Sequence, residues 1–302
     1  MKYLFYDGKE KMRISIIGSP GCGKTTLFQA LSGMTTENKP SADSVAVIEV
    51  PDKRVDKLSE IFNPRKIIYA RIMLADTVAI EEGNVKSETI SAKTLRDMRE
   101  SDAFLLVLRA FDNGNPVDLQ GEFLTTFQEF IFADILQIEN RLERIRRQAV
   151  KKENIALAQE KASLTECLAH LSDGKPLCTL PVFEQDGKYL KGFQFLSQKP
   201  MMIVVNSSEE QTEDQGMLID ALKETIPSKI PVIEACGKLE AELALMSPGE
   251  QTEFMSEFGI KESVAGRIIR LAFDTLGLIS FLTVGDDECR AWPIKNGINA
   301  QD

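Results

Sequence analysis

Eight consecutive residues, Gly18-Ser19-Pro20-Gly21-Cys22-Gly23-Lys24-Thr25, constrain this chain more than any other feature, because they match G-x-x-x-x-G-K-S/T. They lie between a β-branched run at 13–17 and a helix-like segment at 24–32, so the order is strand, loop, helix. In such a loop the glycines let successive backbone N–H groups turn inward around phosphates, and the helix N-terminus adds its positive dipole end. Lys24 is expected to reach the β and γ phosphates and Thr25 to offer its hydroxyl to Mg²⁺, with Thr26 completing the loop.

A loop of this kind needs a sheet behind it. Apolar runs at 45–50, 67–75, 103–108, 202–205 and 231–235 alternate with helix-like segments at 55–62 and 214–225. That alternation predicts an α/β fold, a P-loop NTPase of G-domain type with a mostly parallel sheet flanked by helices. Asp76 ends the 67–75 run as a Walker B aspartate ends its strand, which makes it the candidate magnesium partner of Thr25.

With 302 residues, 43% of them hydrophobic, the chain has material for a large core, and a typical domain of roughly 150 residues allows about two. The 36 basic and 46 acidic residues leave a net charge of −10, which argues against general DNA or membrane binding through a positive coat. No uncharged apolar run reaches the roughly 18 residues of a membrane span, since Arg270 and Asp274 interrupt the longest. The five cysteines (Cys22, Cys167, Cys178, Cys236, Cys289) are scattered and form no C-x-x-C pair, so neither a disulfide framework nor a zinc ribbon is indicated. Together with charged residues throughout 1–12 in place of a signal peptide, this points to a cytoplasmic protein. Residues 1–11 read either as an extension or as a misassigned start.

From 122 onward the pattern changes. Leu124, Ile131, Ile138 and Ile145 fall seven apart, with Ile135, Leu142 and Ala149 as a second column. Leu157, Leu164 and Leu171 repeat the spacing after a polar break at 151–154. Two antiparallel helices forming a coiled-coil hairpin are the simplest outcome, and two amphipathic helices lying on the sheet are the alternative. Near the break Arg141, Arg144, Arg146, Arg147, Lys151 and Lys152 are opposed by Glu143 alone. Such a tip is either a contact for RNA phosphates or solvated charge.

After the run 202–205 comes Asn206-Ser207-Ser208-Glu209, where guanine-binding proteins of this class carry N-K-x-D. The aspartate of that motif accepts two hydrogen bonds from guanine; Glu209 replaces it here and Ser207 replaces the lysine. Asn206 can still pair with the N7 edge of either purine, so guanine specificity is weakened. The alternative is that Asn206 and Ser207 merely start a turn.

Taken with Val50-Pro51-Asp52 and Arg54, Arg99-Glu100, Arg109 and Phe111, Lys199-Pro200, Cys236, and Arg290-Ala291-Trp292, these motifs resemble the YchF-type, Obg-like ATPases, a branch of the translation-factor P-loop proteins. The resemblance spans nearly the whole chain. It implies an N-x-x-E base motif favouring ATP over GTP, backbone contacts to the base from Cys236 and Gly237, and a coiled-coil hairpin inserted into the nucleotide domain. It also implies an association with ribosomes, which turns the basic hairpin toward rRNA. The implied organisation is a nucleotide domain at 12–121 and 195–280, a hairpin insertion at 122–194, and an incomplete TGS-like opening at 281–302.

Some positions depart from the family pattern. The glycine of D-x-x-G is Ala79, followed by the hydrophobic Ile80 that the family uses. The glycine-rich switch loop falls on 87–91 with its glycines replaced, and a histidine of many members falls on Leu106. Residues 38–47 hold no threonine for the magnesium shell, leaving Ser41 or Ser44. The sole histidine, His170, reads as a surface or packing residue. The expected function is magnesium-dependent purine nucleotide binding with slow or partner-dependent hydrolysis, as a switch in translation. The alternatives are a catalytically degenerate scaffold working through the coiled coil, and a small-molecule P-loop kinase.

Overall fold

In the computed structural model, which describes residues 12–33, 44–76, 80, 91–112, 114, 116–149, 155–181, 187–209, 213–257 and 263–299, the chain forms two compact units. The first takes Met1–Val78, Ser101–Leu119 and Met201–Asp302, and the second takes Ala79–Glu100 and Gln120–Pro200. The expected insertion, 122–194, is thus narrower than the second unit, which also draws on residues before the hairpin.

The first unit is built on β1 (Met12–Ile17), β2 (Val45–Glu49), β4 (Arg71–Asp76), β5 (Ala103–Ala110), β6 (Met201–Ser207) and β7 (Val232–Ala235). They form one sheet in the order β2-β4-β1-β5-β6-β7, parallel throughout except for the antiparallel edge strand β2. All seven residues of β6 and seven of eight in β5 are buried. Strands covered on both faces read as continuous apolar runs. Helices α1 (Lys24–Ser32), α2 (Lys53–Phe62), α6 (Glu213–Thr225), α7 (Gly237–Leu245), α8 (Pro248–Glu257) and α9 (Val264–Thr275) complete the unit. Leu27 and Phe28 of α1 and Ile268 and Phe273 of α9 share a core with Ile14, Leu105 and Val204 of the sheet.

The run 67–75, read as one strand, is two. It breaks at Tyr69 and Ala70 into β3 (Lys66–Ile68) and β4, which belong to different sheets. Ala70 is buried and its carbonyl accepts from Val50 N–H at 2.8 Å, so the crossing residues stay packed and apolar and leave no mark in the hydropathy. Strand β3 runs parallel to β9 (Glu288–Lys295), which pairs antiparallel with β8 (Leu278–Val284). The expected boundary at 280/281 therefore falls inside β8, and Cys289 and Ala291 of β9 lie in the same core as Val55 of α2.

Two carboxylates cap helices of this unit. Asp52 accepts from Arg54 N–H at 2.9 Å and from its guanidinium at 2.6 Å and 2.9 Å, and Arg54 holds that carboxyl below its ordinary range. Glu240 of α7, buried, accepts from Val264 and Ala265 N–H at 3.2 Å and 2.9 Å, satisfying the start of α9 from another element. Glu240→Ala should cost about 2 kcal/mol, the upper range for a lost cap, and Glu240→Gln less; denaturant midpoints check both.

In the second unit α3 (Ala92–Glu100) is joined by α4 (Leu119–Ala149), whose first residue belongs to the first unit, and α5 (Ile155–Ser172). Ile131, Ile138 and Ile145 of the heptad column are buried with Leu164, Cys167 and Leu171 of α5, and Ile135, Leu142 and Leu157 are partly buried beside them. Leu124 is 46% exposed, so the packed column starts one heptad later than its sequence spacing. Leu177, Leu190 and Phe195, from the irregular stretch after α5, fill the rest of this core. Asp134 holds that stretch: it accepts from Leu196 N–H at 2.9 Å, Ser197 N–H at 2.8 Å and the Ser197 hydroxyl at 2.7 Å. Lys199 donates to the Arg99 carbonyl at 2.6 Å and Arg99 to the Ala133 carbonyl at 3.3 Å, which gives two of the family positions a structural role. His170 contacts the Pro176 carbonyl and the Thr179 hydroxyl, a local packing role. Among the described residues no helix is long and apolar enough to cross a membrane.

Candidate functional site

Parallel pairing of β1 with β4 sets Ile16 opposite Asp76, so the carboxylate ends its strand beside the loop that leaves β1. Gly18 and Gly23 are glycines for reasons the surroundings supply. A Cβ on Gly18 would stand 2.4 Å from the Val107 carbonyl oxygen, and one on Gly23 would stand 2.1 Å from Asn206 Nδ2. Gly23 also has φ +96° as the residue before α1, and no side chain caps that helix. A helix start without a side-chain cap presents its N–H groups to an anion.

Within the loop Pro20 and Gly21 are exposed, Cys22 is buried and Thr26 is half-buried. The buried Lys24 ammonium donates to the carbonyls of Ser19 at 2.8 Å and Gly18 at 3.1 Å. The Thr25 hydroxyl donates to Asp76 Oδ2 at 2.9 Å. These two predicted partners, 51 residues apart, meet directly. Ser44 lies next to them through its carbonyl, which accepts from Asp76 N–H at 2.9 Å.

Asn206 does something that its place in a base motif did not suggest. Its Nδ2 donates to the Cys22 carbonyl at 2.9 Å, and its Oδ1 accepts from Gly237 N–H at 2.9 Å. The buried amide thus ties the phosphate loop to the start of α7, and retains one N–H and one lone pair for another partner. Cys236 precedes α7 and Gly237 is its first residue, and of these two predicted loop residues it is Gly237 that meets Asn206. Glu209 is exposed and ion-paired with Lys238 at 3.0 Å, which pushes the lysine pKa up. Lys238 was not singled out from the sequence; its position two residues beyond Cys236 was the available signal.

The basic tip is less free than its composition implied. Arg141 makes a two-pronged contact with Glu160 of α5 at 2.6 Å and 2.7 Å, and Arg146 and Arg147 pair with Glu143 at 3.8 Å and 3.0 Å. Counting charges along 141–152 missed Glu160, which arrives from the partner helix. Arg144 makes no ion pair among the described residues, while Lys151 and Lys152 lie outside them. Ala79, Ser41 and 87–90 also lie outside; Ile80 is buried, and the Ser91 hydroxyl accepts from Thr94 N–H at the start of α3.

The sequence profile described as "50S ribosome-binding GTPase" matches residues 13–141. The chain is 31% identical over 299 residues to the ribosome-binding ATPase YchF of Bacillus subtilis, an alignment covering 94% of this chain and 81% of that one. It is 33% identical over 302 residues to the protein of the same name from Mycoplasma genitalium, covering 94% and 82%. Among solved structures, that of the Schizosaccharomyces pombe YchF GTPase superposes with a TM-score of 0.79 at 23% identity, over 96% of this chain and 82% of the other, a likeness of fold.

Proposed function

The chain belongs to the YchF family of P-loop NTPases, and on that premise we propose that it binds a magnesium purine nucleotide, ATP in preference to GTP, hydrolyses it slowly, and uses the bound state to regulate association with the ribosome. The observation that carries this reading is the meeting of Lys24, Thr25 and Asp76 at a loop whose shape Asn206 holds. The backbone of Gly18, Ser19, Pro20, Gly21, Cys22 and Gly23 with α1 receives the phosphates, and Lys24 exchanges two carbonyls for phosphate oxygens. A hydroxyl and a carboxylate are hard oxygen donors that suit Mg²⁺, which commonly takes one or two carboxylates and completes its shell from phosphates and water. Thr25 and Asp76 would hold it, and its charge would neutralise the phosphates.

The spare amide groups of Asn206 reach the purine N7 edge, and Glu209, held by Lys238, accepts from an exocyclic amine; the backbone at Cys236 and Gly237 flanks the base. Replacement of the guanine-reading aspartate by Glu209 supports ATP. For the ribosome, the relatives, named as ribosome-binding ATPases, support the association. The exposed Arg144, Arg146 and Arg147 of α4 support phosphate contacts on its RNA, with Arg141 spent on Glu160. Ala79 in place of the phosphate-sensing glycine favours the second reading, a nucleotide-stabilised scaffold without turnover.

Parallel titration with fluorescent ATP and GTP analogues in Mg²⁺, followed by phosphate release, tests this. ATP should bind about tenfold tighter, roughly 1.4 kcal/mol, and Lys24→Ala should weaken both. Tighter GTP would overturn the base assignment, binding indifferent to Lys24→Ala would overturn the loop assignment, and binding without phosphate release would favour the scaffold.

A further inference from the structure

Two loops leave β6 and β7 side by side at the carboxyl ends of these parallel strands. Asn206 is in register with Ala235, and the Ser207 hydroxyl donates to the Ala235 carbonyl at 3.3 Å. Crevices at such strand ends are where open α/β sheets hold ligands. Glu209 from the first loop and Lys238 from the start of α7 meet across this opening at 3.0 Å. Their side chains are 53% and 72% exposed, so a ligand can reach both. Lys238 also stands where helix electrostatics disfavours it. It is the second residue of α7, and a cation in a first helical turn opposes the helix dipole. An exposed ion pair contributes little in return, so the fold gains little from a lysine at this position.

A carboxylate by itself separates the purines poorly, because it accepts from the N6 amine of adenine as well as from N1–H and the N2 amine of guanine. What distinguishes adenine is the acceptor beside its amine, ring N1, and reading that atom takes a donor. We propose that Lys238 is a specificity-determining residue that donates to adenine N1 while Glu209 accepts from the N6 amine. The inference deepens the nucleotide reading above and rests on it. The ammonium has three N–H groups, of which Glu209 takes one. With Asn206 on the N7 side, the order along the purine edge is N7, the 6-substituent and N1. Guanine placed the same way sets O6 against the Glu209 carboxylate and N1–H against the Lys238 ammonium. Acceptor then faces acceptor and donor faces donor, and a site built to hydrogen-bond one partner rejects the one that leaves its groups unpaired.

The test measures binding of ATP, 1-deaza-ATP and GTP to the full chain in Mg²⁺. 1-Deaza-ATP keeps the N6 amine and replaces ring N1 by C–H. The unsubstituted chain should bind it at least about tenfold more weakly than ATP, roughly 1.4 kcal/mol. Lys238→Met, an exposed change that leaves the fold in place, should weaken ATP by a similar factor and 1-deaza-ATP hardly at all, closing the gap between them. GTP should not weaken with ATP, so the preference for ATP shrinks, and Lys238→Arg should restore part of it. Equal binding of ATP and 1-deaza-ATP by an unsubstituted chain that still prefers ATP to GTP overturns the role of Lys238 and leaves the nucleotide reading standing. A gap that persists in Lys238→Met also overturns it, since the donor to N1 is then another group. Loss of GTP binding alone in that variant places the ammonium at O6 and overturns it too. Binding indifferent to Lys24→Ala, or GTP bound more tightly than ATP by the unsubstituted chain, overturns the nucleotide reading and this inference with it.

Discussion

Asn206→Ala is expected to destabilise the nucleotide unit by about 3 kcal/mol, and to remove nucleotide binding with it. The amide is buried and makes two 2.9 Å hydrogen bonds to backbone groups of different elements, the Cys22 carbonyl and the Gly237 N–H. Truncation leaves both unsatisfied, and each such group costs about 1–3 kcal/mol. The phosphate loop also loses the contact that holds its last turn against α7. Gly23→Ala should produce much of the same loss from the other side, because its Cβ would collide with the Asn206 amide at 2.1 Å and φ +96° disfavours any side chain. Since both changes break one contact, the double variant should be clearly less than additive. Denaturant midpoints and nucleotide titrations check this; a normal midpoint for Asn206→Ala would show that the amide bridges nothing of consequence.

In the second unit the corresponding residue is Asp134. At neutral pH Asp134→Ala should cost about 3 kcal/mol, since it strands the buried N–H groups of Leu196 and Ser197. Asp134 also makes the unit sensitive to pH. Burial pushes its carboxyl up to about 6, against the pull of the Ser197 and Leu196 donors and of Arg99. A carboxyl that holds its proton more tightly folded than unfolded contributes stability that is fully present below about 3.8 and is lost as pH rises through about 6. Two pH units correspond to at most about 3 kcal/mol. The expected result is a higher denaturant midpoint for the helical unit at pH 5 than at pH 7.5, with the difference flattened in Asp134→Asn. An unchanged pH profile in that variant would assign the dependence to other groups.

The parts of the fold that were legible in the sequence are those whose interactions are short in chain distance. The phosphate loop needs only a strand, six residues and a helix start, and every one of its constraints is local. The doubly covered strands β5 and β6 announce themselves as unbroken apolar runs, and the heptads predict the faces of α4 and α5 that are buried. The misread segments have the opposite character. Residues 67–75 change sheets at Tyr69 and Ala70 without losing hydrophobicity, so periodicity cannot mark the crossing. The basic tip is neutralised in part by Glu160, 19 residues from Arg141 and on another helix.

By itself, then, the sequence determined the class of fold, the phosphate loop with Lys24 and Thr25, and the candidate magnesium and base residues. Each follows from residue type, spacing and period, which the chain encodes locally. Tertiary packing decided the rest. Strand order and register bring Asp76 onto Thr25 and set Asn206 between Cys22 and Gly237 across 184 and 31 residues, and the packing of α4 against the stretch after α5 closes Asp134 over Ser197 across 63. A hydrogen bond has a direction and a length, and which groups meet at that length is a property of the packed chain, not of any segment of it.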